Sequence, residues 1–233
     1  MCDRRYTLID RREVTGAVIY TDRVPTRALV LVDLQNDFCP GGALAVRQGD
    51  EVIAVANRVT RHFELVVATQ DWHPADHASF AANHPGRSPY EVIDLDGLPQ
   101  VLWPVHCVQG TPGAAFRADL DATIAKVFVK GTNPRVDSYS GFHDNGHRGS
   151  TGMGEWLRAQ GVTAIHVLGL ATDYCVQWTA LDGRADGFEV TLIADGCRAV
   201  ELAPGDGERA IAAMRAAGVI VTDSGALASQ GLP

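Results

Sequence analysis

The 233-residue sequence lacks several features that would assign it at once to a class of protein. No apolar run approaches the ~18 residues of a transmembrane helix, and no continuous hydrophobic segment near the amino terminus resembles a secretory signal. Neither G-x-G-x-x-G nor G-x-x-x-x-G-K-[ST] occurs, so dinucleotide-binding and P-loop functions lose their main support. The net charge of −8 argues against a nucleic-acid surface. We therefore expect a soluble protein with neither a membrane nor a nucleic-acid partner.

Cysteine and lysine are both scarce. The five cysteines are odd in number, widely spread and without a C-x-x-C pair. This pattern is typical of reduced thiols in a cytoplasmic protein rather than of a disulfide framework or a zinc–thiolate site. Of the 20 basic residues only Lys126 and Lys130 are lysines. Because an ammonium group, unlike a guanidinium, can change its protonation state, both are candidates for chemistry.

Short apolar segments alternate with helical patterns from residue 28 onward. Apolar, β-branched runs predict six strands, over 28–32, 65–69, 126–130, 163–168, 189–194 and 219–222. Periodicity predicts helices over 51–63, around 115–125, over 153–159, after Cys175 and over 204–217. This alternation predicts an α/β fold of three layers, α/β/α, with a mainly parallel, Rossmann-like six-stranded sheet. We predict one domain over 28–233 and an N-terminal extension of uncertain order over 1–27.

Four reactive side chains lie at the carboxyl ends of successive predicted strands: Asp33, Asp71, Lys130 and Cys175. Because ligands bind outside the carboxyl ends of parallel strands, we expect these side chains to meet at one edge of the sheet. An ammonium group lowers the pKa of a nearby thiol, and a carboxylate can take the thiol proton and later return it. The set therefore predicts nucleophilic catalysis by the thiol.

Cys175 is predicted to lie in the first turn of a helix that follows the fourth strand. Thr172 or Asp173 is a natural N-cap for that helix. Free backbone N–H groups and the positive end of the helix dipole would favour a thiolate at this position. The alternative is a small buried residue that fills space between helix and sheet.

A second cluster begins at the end of the second strand. Within seven residues, Asp71, His73 and His77 supply one carboxylate and two imidazoles, and His106 adds a third imidazole from farther along the chain. One oxygen and three nitrogens suit Zn²⁺, Fe²⁺ or Mn²⁺. A polar loop whose histidines cap turns is the alternative, and Asp76 competes with Asp71 as the carboxylate ligand.

These stretches resemble the motifs of nicotinamidases, within the isochorismatase-like cysteine hydrolases. The likeness extends in order over about residues 27–225, through segments 32–44, 68–73, 103–114, 130–131, 137–142, 169–176 and 195–198. It implies the isochorismatase-like hydrolase fold. It also implies a catalytic triad in which Asp33 is the base, Lys130 its ion-pair partner and Cys175 the nucleophile.

The resemblance implies further roles in the same site. The implied ligands of one divalent ion (Zn, Fe or Mn) are Asp71, His73, His77 and His106, which favours Asp71 over Asp76. A cis peptide bond is implied between Leu170 and Ala171, with the N–H groups of Ala171 and Cys175 forming an oxyanion hole. Phe38 and Trp103 would be the aromatic walls around a flat pyridine ring.

The activity implied by the resemblance is hydrolysis of nicotinamide to nicotinate and ammonia through a thioester, as in NAD salvage, with pyrazinamide also accepted. The alternatives are another small-amide cysteine hydrolase of the superfamily and a non-catalytic small-molecule-binding protein on this scaffold. A zinc hydrolase that uses metal-bound hydroxide, with a structural Cys175, is a third. The sequence leaves the oligomeric state open, a homo-oligomer included.

Overall fold

The computed structural model describes residues 26–229, which form one six-stranded parallel sheet flanked by helices, with a small hairpin beside it. The predicted extension over 1–27 lies outside the described residues, except for Thr26 and Arg27 at the start of the first strand. The strands are β1 Thr26–Val32, β2 Leu65–Asp71, β3 Val92–Leu95, β4 Leu98–Val101, β5 Lys126–Lys130, β6 Val162–Leu170, β7 Glu189–Arg198 and β8 Ile220–Thr222. The sheet order is β5-β2-β1-β6-β7-β8, and all its pairs are parallel. The predicted sheet is confirmed.

The described residues include five α-helices, which cover this sheet, and the three-layer prediction is confirmed. They are α1 Glu51–Val59, α2 Met153–Ala159, α3 Gln177–Ala185, α4 Asp206–Ala216 and α5 Ser224–Ser229. Helix α1 packs on β6 and β7 beside α5, whereas α3 packs on the same strands beside α4. Within residues 26–229 no helix has both the length and the apolar character needed to cross a membrane.

The central strands β1 and β6 explain the uninterrupted apolar runs in the sequence. Residues 28–32 are completely buried because helices cover both faces of the sheet. The two strands approach closely at Gly169, whose φ is +140° and where a Cβ atom would lie 2.1 Å from the Val32 carbonyl oxygen. Glycine is required there because any side chain would push the two strand ends apart.

The helix predicted around 115–125 is wrong. Two of its backbone N–H groups bond to other segments: that of Arg117 donates to the Leu34 carbonyl, just after β1, and that of Ala125 to the Val66 carbonyl of β2, at 2.9 and 2.8 Å. Within the segment, the Leu120 N–H donates to the Arg117 carbonyl at 3.2 Å, which closes a single turn and not a helix. Segment 117–125 is therefore irregular. The antiparallel hairpin β3–β4, in the same Pro- and Gly-rich region, was not predicted from the sequence.

Candidate active site and metal centre

The carboxyl edge of the sheet brings Asp33, Asp71, Lys130 and Cys175 into one buried group. The Lys130 ammonium lies 2.8 Å from Oδ2 of Asp33 and donates to Sγ of Cys175 at 3.3 Å. It also contacts Oδ1 of Asp71 and the Ser138 carbonyl. The contact with Asp71 was not predicted, since the family resemblance implies only Asp33 as the ion-pair partner of Lys130.

Asp33 is held by the first turn after β1. Its φ is +50°, a left-handed conformation that costs an L-residue about 1 kcal/mol or more. The Thr69 hydroxyl donates to Oδ1 of Asp33 at 2.7 Å, while Oδ2 faces Lys130. These contacts leave the carboxylate beside the thiol, because ligand atoms of Asp33, Asp71 and Cys175 lie within 4.8 Å of one another.

Burial and neighbouring charges act in opposite directions on the ionisable groups of this site. Burial raises the pKa of the Cys175 thiol well above its usual range, and Lys130 offsets only part of that effect. Burial also raises the pKa of Asp33, although Lys130 opposes the rise. Burial opposes the charge of Lys130 as well, but Asp33 and Asp71 together hold its pKa well above normal. Burial therefore disfavours the thiolate form of Cys175, and the neighbouring Asp33 carboxylate is in place to accept the thiol proton.

Cys175 lies in a π-helical turn, Thr172–Val176, that joins β6 to α3. The predicted N-cap is wrong, because Ala171 occupies that position and no side chain caps the turn. The Asp173 carboxylate instead accepts the backbone N–H groups of Val200 and Glu201, each at 2.9 Å. It thereby ties the cysteine turn to the segment that follows β7.

Three histidines next to this group each bond to the protein through Nδ1, and Nε2 of both His73 and His106 faces Asp71. Nδ1 of His73 lies 2.9 Å from the Gly131 carbonyl, and Nδ1 of His106 lies 2.8 Å from the Pro104 carbonyl. Nδ1 of His77 lies 2.7 Å from the Ser79 hydroxyl. Metal-binding histidines are oriented by second hydrogen bonds of this kind.

Asp71 connects the histidines to the lysine. Its Oδ2 lies 3.5 Å from Nε2 of His73 and 3.7 Å from Nε2 of His106. Burial would raise the pKa of Asp71, but Lys130 and the histidines lower it well below the usual range, so the carboxylate is ionised. Asp76 is exposed and outside the cluster.

The donor atoms fit a divalent transition metal ion. Nε2 of His77 is buried without any hydrogen-bond partner, which is costly unless a cation occupies the space it faces. Gly131, at φ +63°, makes room for the His73 ring, since a Cβ atom there would lie 2.3 Å from its Cε1. A carboxylate and neutral imidazoles suit Zn²⁺, Fe²⁺ or Mn²⁺.

A pocket with aromatic walls opens onto both groups. It is lined by Phe38, Trp103, Tyr139, Tyr174, Ala171, Cys175, Leu44, Val200, Asp71, His73, His106 and Asp137. The Trp103 ring packs edge-on against Tyr174, with ring centroids 4.8 Å apart, and its indole N–H donates to the Tyr139 hydroxyl at 3.2 Å. The Leu170–Ala171 peptide bond is cis. Of the predicted site residues, Cys175, Ala171, the two wall residues and three of the four metal ligands line this cavity. Asp33 and Lys130 do not line it and are buried next to Cys175. The fourth ligand, His77, lies beside His73, with ring centroids 4.4 Å apart.

Sequence reasoning missed two buried residues of this site. Gln35 accepts the backbone N–H of Asp71 and donates to its carbonyl, both at 2.8 Å, so its amide fixes the Asp71 backbone from β1. Asp137 lies with His73 and His77 in a group whose ligand atoms are all within 4.8 Å. Both fall inside the motif segments, but neither has the spacing of a metal ligand or of a strand-end residue.

The chain matches known proteins over most of its length. The model of the isochorismatase domain matches residues 27–226. The nicotinamidase of Escherichia coli (strain K12) is 53% identical over 200 residues, which cover 84% of this chain and 93% of that protein.

Two solved structures support the same relationship. A nicotinamidase/pyrazinamidase of Acinetobacter baumanii has a TM-score of 0.85 at 45% identity, covering 88% of this chain and 99% of that one. The pyrazinamidase of Pyrococcus horikoshii in complex with zinc has a TM-score of 0.70 at 38% identity, covering 85% and 99%.

Proposed function

Because this chain belongs to the isochorismatase domain family, we propose that it is a metal-dependent cysteine amidohydrolase that converts nicotinamide to nicotinate and ammonia. The observation that carries the proposal is a cysteine that lines an aromatic-walled pocket together with His73 and His106 and that contacts a buried lysine–carboxylate pair. The alternative of a non-catalytic binding protein does not account for this group. Burial of a lysine and a carboxylate beside a thiol costs folding free energy because both charges lose their hydration. A protein that only bound a ligand would not need this arrangement.

The pocket walls favour a flat, uncharged heteroaromatic amide. Phe38 and Trp103 are 5% and 3% exposed and present apolar faces to the cavity. An aromatic ring placed between such walls gains both apolar contact and ring-to-ring interaction. The carboxamide of a bound ring would then point to Cys175 at the base of the pocket.

The triad residues divide the acid–base work. Asp33 takes the proton from the thiol, and the sulfur of Cys175 attacks the amide carbonyl. The N–H groups of Ala171 and Cys175 are the proposed donors to the oxyanion. Asp33 then gives its proton to the departing ammonia, which leaves a thioester for water to hydrolyse. Lys130 stays charged throughout and keeps Asp33 oriented.

Asp71, His73, His77 and His106 are the proposed ligands of one divalent ion. When bound, the ion supplies a Lewis-acidic contact for the ring nitrogen of the substrate. Zinc is the first choice because the Pyrococcus horikoshii relative was solved with it, and Fe²⁺ and Mn²⁺ suit the same donors.

Pyrazinamide is the expected second substrate. Its ring carries a nitrogen in the same position relative to the carboxamide as nicotinamide does, so one pocket orients both amides alike. Release of nicotinate would place the enzyme in NAD salvage. We expect it to act in the cytoplasm, where its thiol stays reduced.

Ammonia release from nicotinamide and pyrazinamide tests the proposal, with wild type, Cys175→Ala and metal-stripped protein compared. We expect wild-type turnover, a loss of about 10⁴-fold or more in Cys175→Ala, and recovery of the stripped protein on addition of a divalent ion. Activity that survives Cys175→Ala would rule out the thiol as nucleophile. Turnover of another small amide but not of nicotinamide would assign the chain a different substrate.

A further inference from the structure

The histidine cluster has a second carboxylate that the four proposed ligands do not include. Asp137, in the loop between β5 and α2, is only 3% exposed. One of its oxygens lies within 4.8 Å of ligand nitrogens of both His73 and His77. It approaches from the side of His77, whereas Asp71 lies with His73 and His106.

The pair formed by Asp137 and His77 lacks a counter-charge and one hydrogen bond. Among residues 26–229, Asp137 accepts hydrogen bonds but forms no ion pair with a basic side chain. Nε2 of His77 is buried and has no hydrogen-bond partner among the same residues. A buried carboxylate without a counter-charge, close to a buried imidazole nitrogen without a hydrogen bond, suits the binding of a cation.

Gln100 of β4 holds the Asp137 carboxylate in this orientation. The Gln100 amide is 2% exposed, and its Nε2 donates to Oδ2 of Asp137 at 3.0 Å. The same nitrogen lies 3.2 Å from the Tyr139 hydroxyl, so one side chain fixes both the carboxylate and a wall of the pocket. The backbone N–H of Ser138 donates to the other oxygen, Oδ1, at 2.8 Å.

We propose that Asp137 is a second carboxylate of the metal-binding cluster and that Gln100 is the residue that positions it. The inference rests on the metal site of the proposed function. It adds Asp137 to that site as a second acidic residue besides Asp71. It also assigns a role to the β3–β4 hairpin, which supplies Gln100 from outside the main sheet.

Equilibrium binding of Zn²⁺ to the metal-free protein, in competition with a chromophoric chelator, tests the proposal. Asp137→Asn keeps the size of the side chain but removes its charge, and we expect the Kd for zinc to rise about 10- to 100-fold. Asp76→Asn is the matched control. It removes an equal charge from an exposed residue that lies between His73 and His77 in the sequence. We expect it to bind zinc like wild type.

One further variant separates the inference from the site on which it rests. His73→Ala should abolish tight zinc binding, and if it does not, both the proposed site and this inference fail. If His73→Ala abolishes binding while Asp137→Asn keeps the wild-type Kd, the site stands and the second carboxylate is rejected. Unfolding of each metal-free variant by heat verifies that the comparison is made on folded protein.

Gln100→Met tests the positioning role. Methionine fills the same volume but cannot donate to Asp137, so we expect a rise in the zinc Kd of about 3- to 10-fold. The absorption spectrum of bound Co²⁺ reports coordination directly and is not changed by a loss of stability elsewhere. A Co²⁺ spectrum that is identical in wild type, Gln100→Met and Asp137→Asn would overturn the proposal.

Discussion

The two halves of the site treat their buried charges differently. In the strand half, formed by Asp33, Lys130 and Cys175, the ammonium lies within hydrogen-bonding distance of both the carboxylate and the sulfur. In the loop half, formed by His77, His106 and Asp137, the buried nitrogen of His77 has no partner and the buried carboxylate of Asp137 has no counter-charge among the described residues. Asp71 joins the halves, with one oxygen on Lys130 and the other beside His73 and His106.

This difference indicates that the strand half is electrostatically complete in the protein alone, whereas the loop half is completed by a cation. Sheet register fixes the positions of the strand residues, because β5, β2, β1 and β6 are hydrogen-bonded neighbours. Loop residues have no such register. Their side chains are oriented by hydrogen bonds on the side away from the cluster, such as that between Nδ1 of His106 and the Pro104 carbonyl. Substitutions in the two halves should therefore have different consequences.

Removal of the central charge of the strand half should have the largest effect. Lys130→Met leaves Asp33 and Asp71 buried side by side without a counter-charge, so we expect a loss of about 3–5 kcal/mol in the free energy of unfolding. We also expect amidase activity to fall by about 10³-fold or more. Urea denaturation and ammonia release measure the two quantities.

The sequence provides a matched control for this variant. Lys126 is the other lysine of the chain, at the opposite end of β5, and it is exposed. Lys126→Met should leave activity unchanged and alter stability by less than about 1 kcal/mol, through its contacts with the Phe128 and Trp156 rings. Equal losses in the two lysine variants would mean that the strand half is not held by its internal ion pairs.

Prediction from sequence found more of the strand half of the site than of the loop half. The grouping of Asp33, Asp71 and Lys130 was foreseeable, because parallel strands that end in polar residues must bring those residues to one edge. Asp137 and Gln100 were not, since only the folded path of the loop and hairpin places them beside the histidines. The rise in the pKa of the Cys175 thiol was not foreseen, because burial, its largest cause, cannot be read from local sequence.

A second lesson concerns segments without periodic apolar residues. The short helix expected around 115–125 is an irregular segment. Two of its backbone N–H groups bond to the distant residues Leu34 and Val66, which no local sequence pattern indicates. Gln35 likewise looks like an ordinary polar residue after a strand, yet its amide holds the backbone of Asp71 on both sides. Hydrogen bonds between distant segments decide both cases.

His166 lies outside the site and tests whether a buried imidazole nitrogen without a hydrogen-bond partner lowers the stability of this fold. Its Nδ1 is buried in the middle of β6 and has no hydrogen-bond partner among the described residues. Burial, together with the nearby charge of Arg27, lowers the pKa of His166 to about 4 from its ordinary 6.5. The unfolded chain therefore binds a proton more readily, so stability that is present above pH 6.5 is lost as the pH falls toward 4.

We expect this single group to remove about 2–3 kcal/mol of unfolding free energy over that range. His166→Leu should be less sensitive to acid by that amount, when urea denaturation of metal-free wild type and variant is compared at several pH values. His62→Gln, at a half-exposed histidine, is the control and should follow the wild-type curve. Parallel curves for wild type and His166→Leu would show that an unpartnered buried imidazole carries no cost in this fold.

The smallest expected effect lies where the strand half meets the pocket wall. The Asp173 carboxylate holds the N–H groups of Val200 and Glu201, and Val200 lines the pocket while Cys175 lies two residues beyond Asp173. Asp173→Asn keeps one acceptor oxygen and loses the other, at a cost of about 1 kcal/mol. Because only the wall is loosened, we expect KM to rise about fivefold with kcat nearly unchanged.

Asp206→Asn is the control for that variant, because its carboxylate accepts the Ala203 N–H at 2.7 Å in the same segment but does not reach the pocket. It should leave KM as in wild type. A fall in kcat with an unchanged KM in Asp173→Asn would mean that the carboxylate orients the cysteine turn rather than the wall. In that case the cysteine turn after β6 would depend for its geometry on the segment after β7 as well as on the sheet. Cys175 could then no longer be assigned to a half of the site that the sheet alone positions.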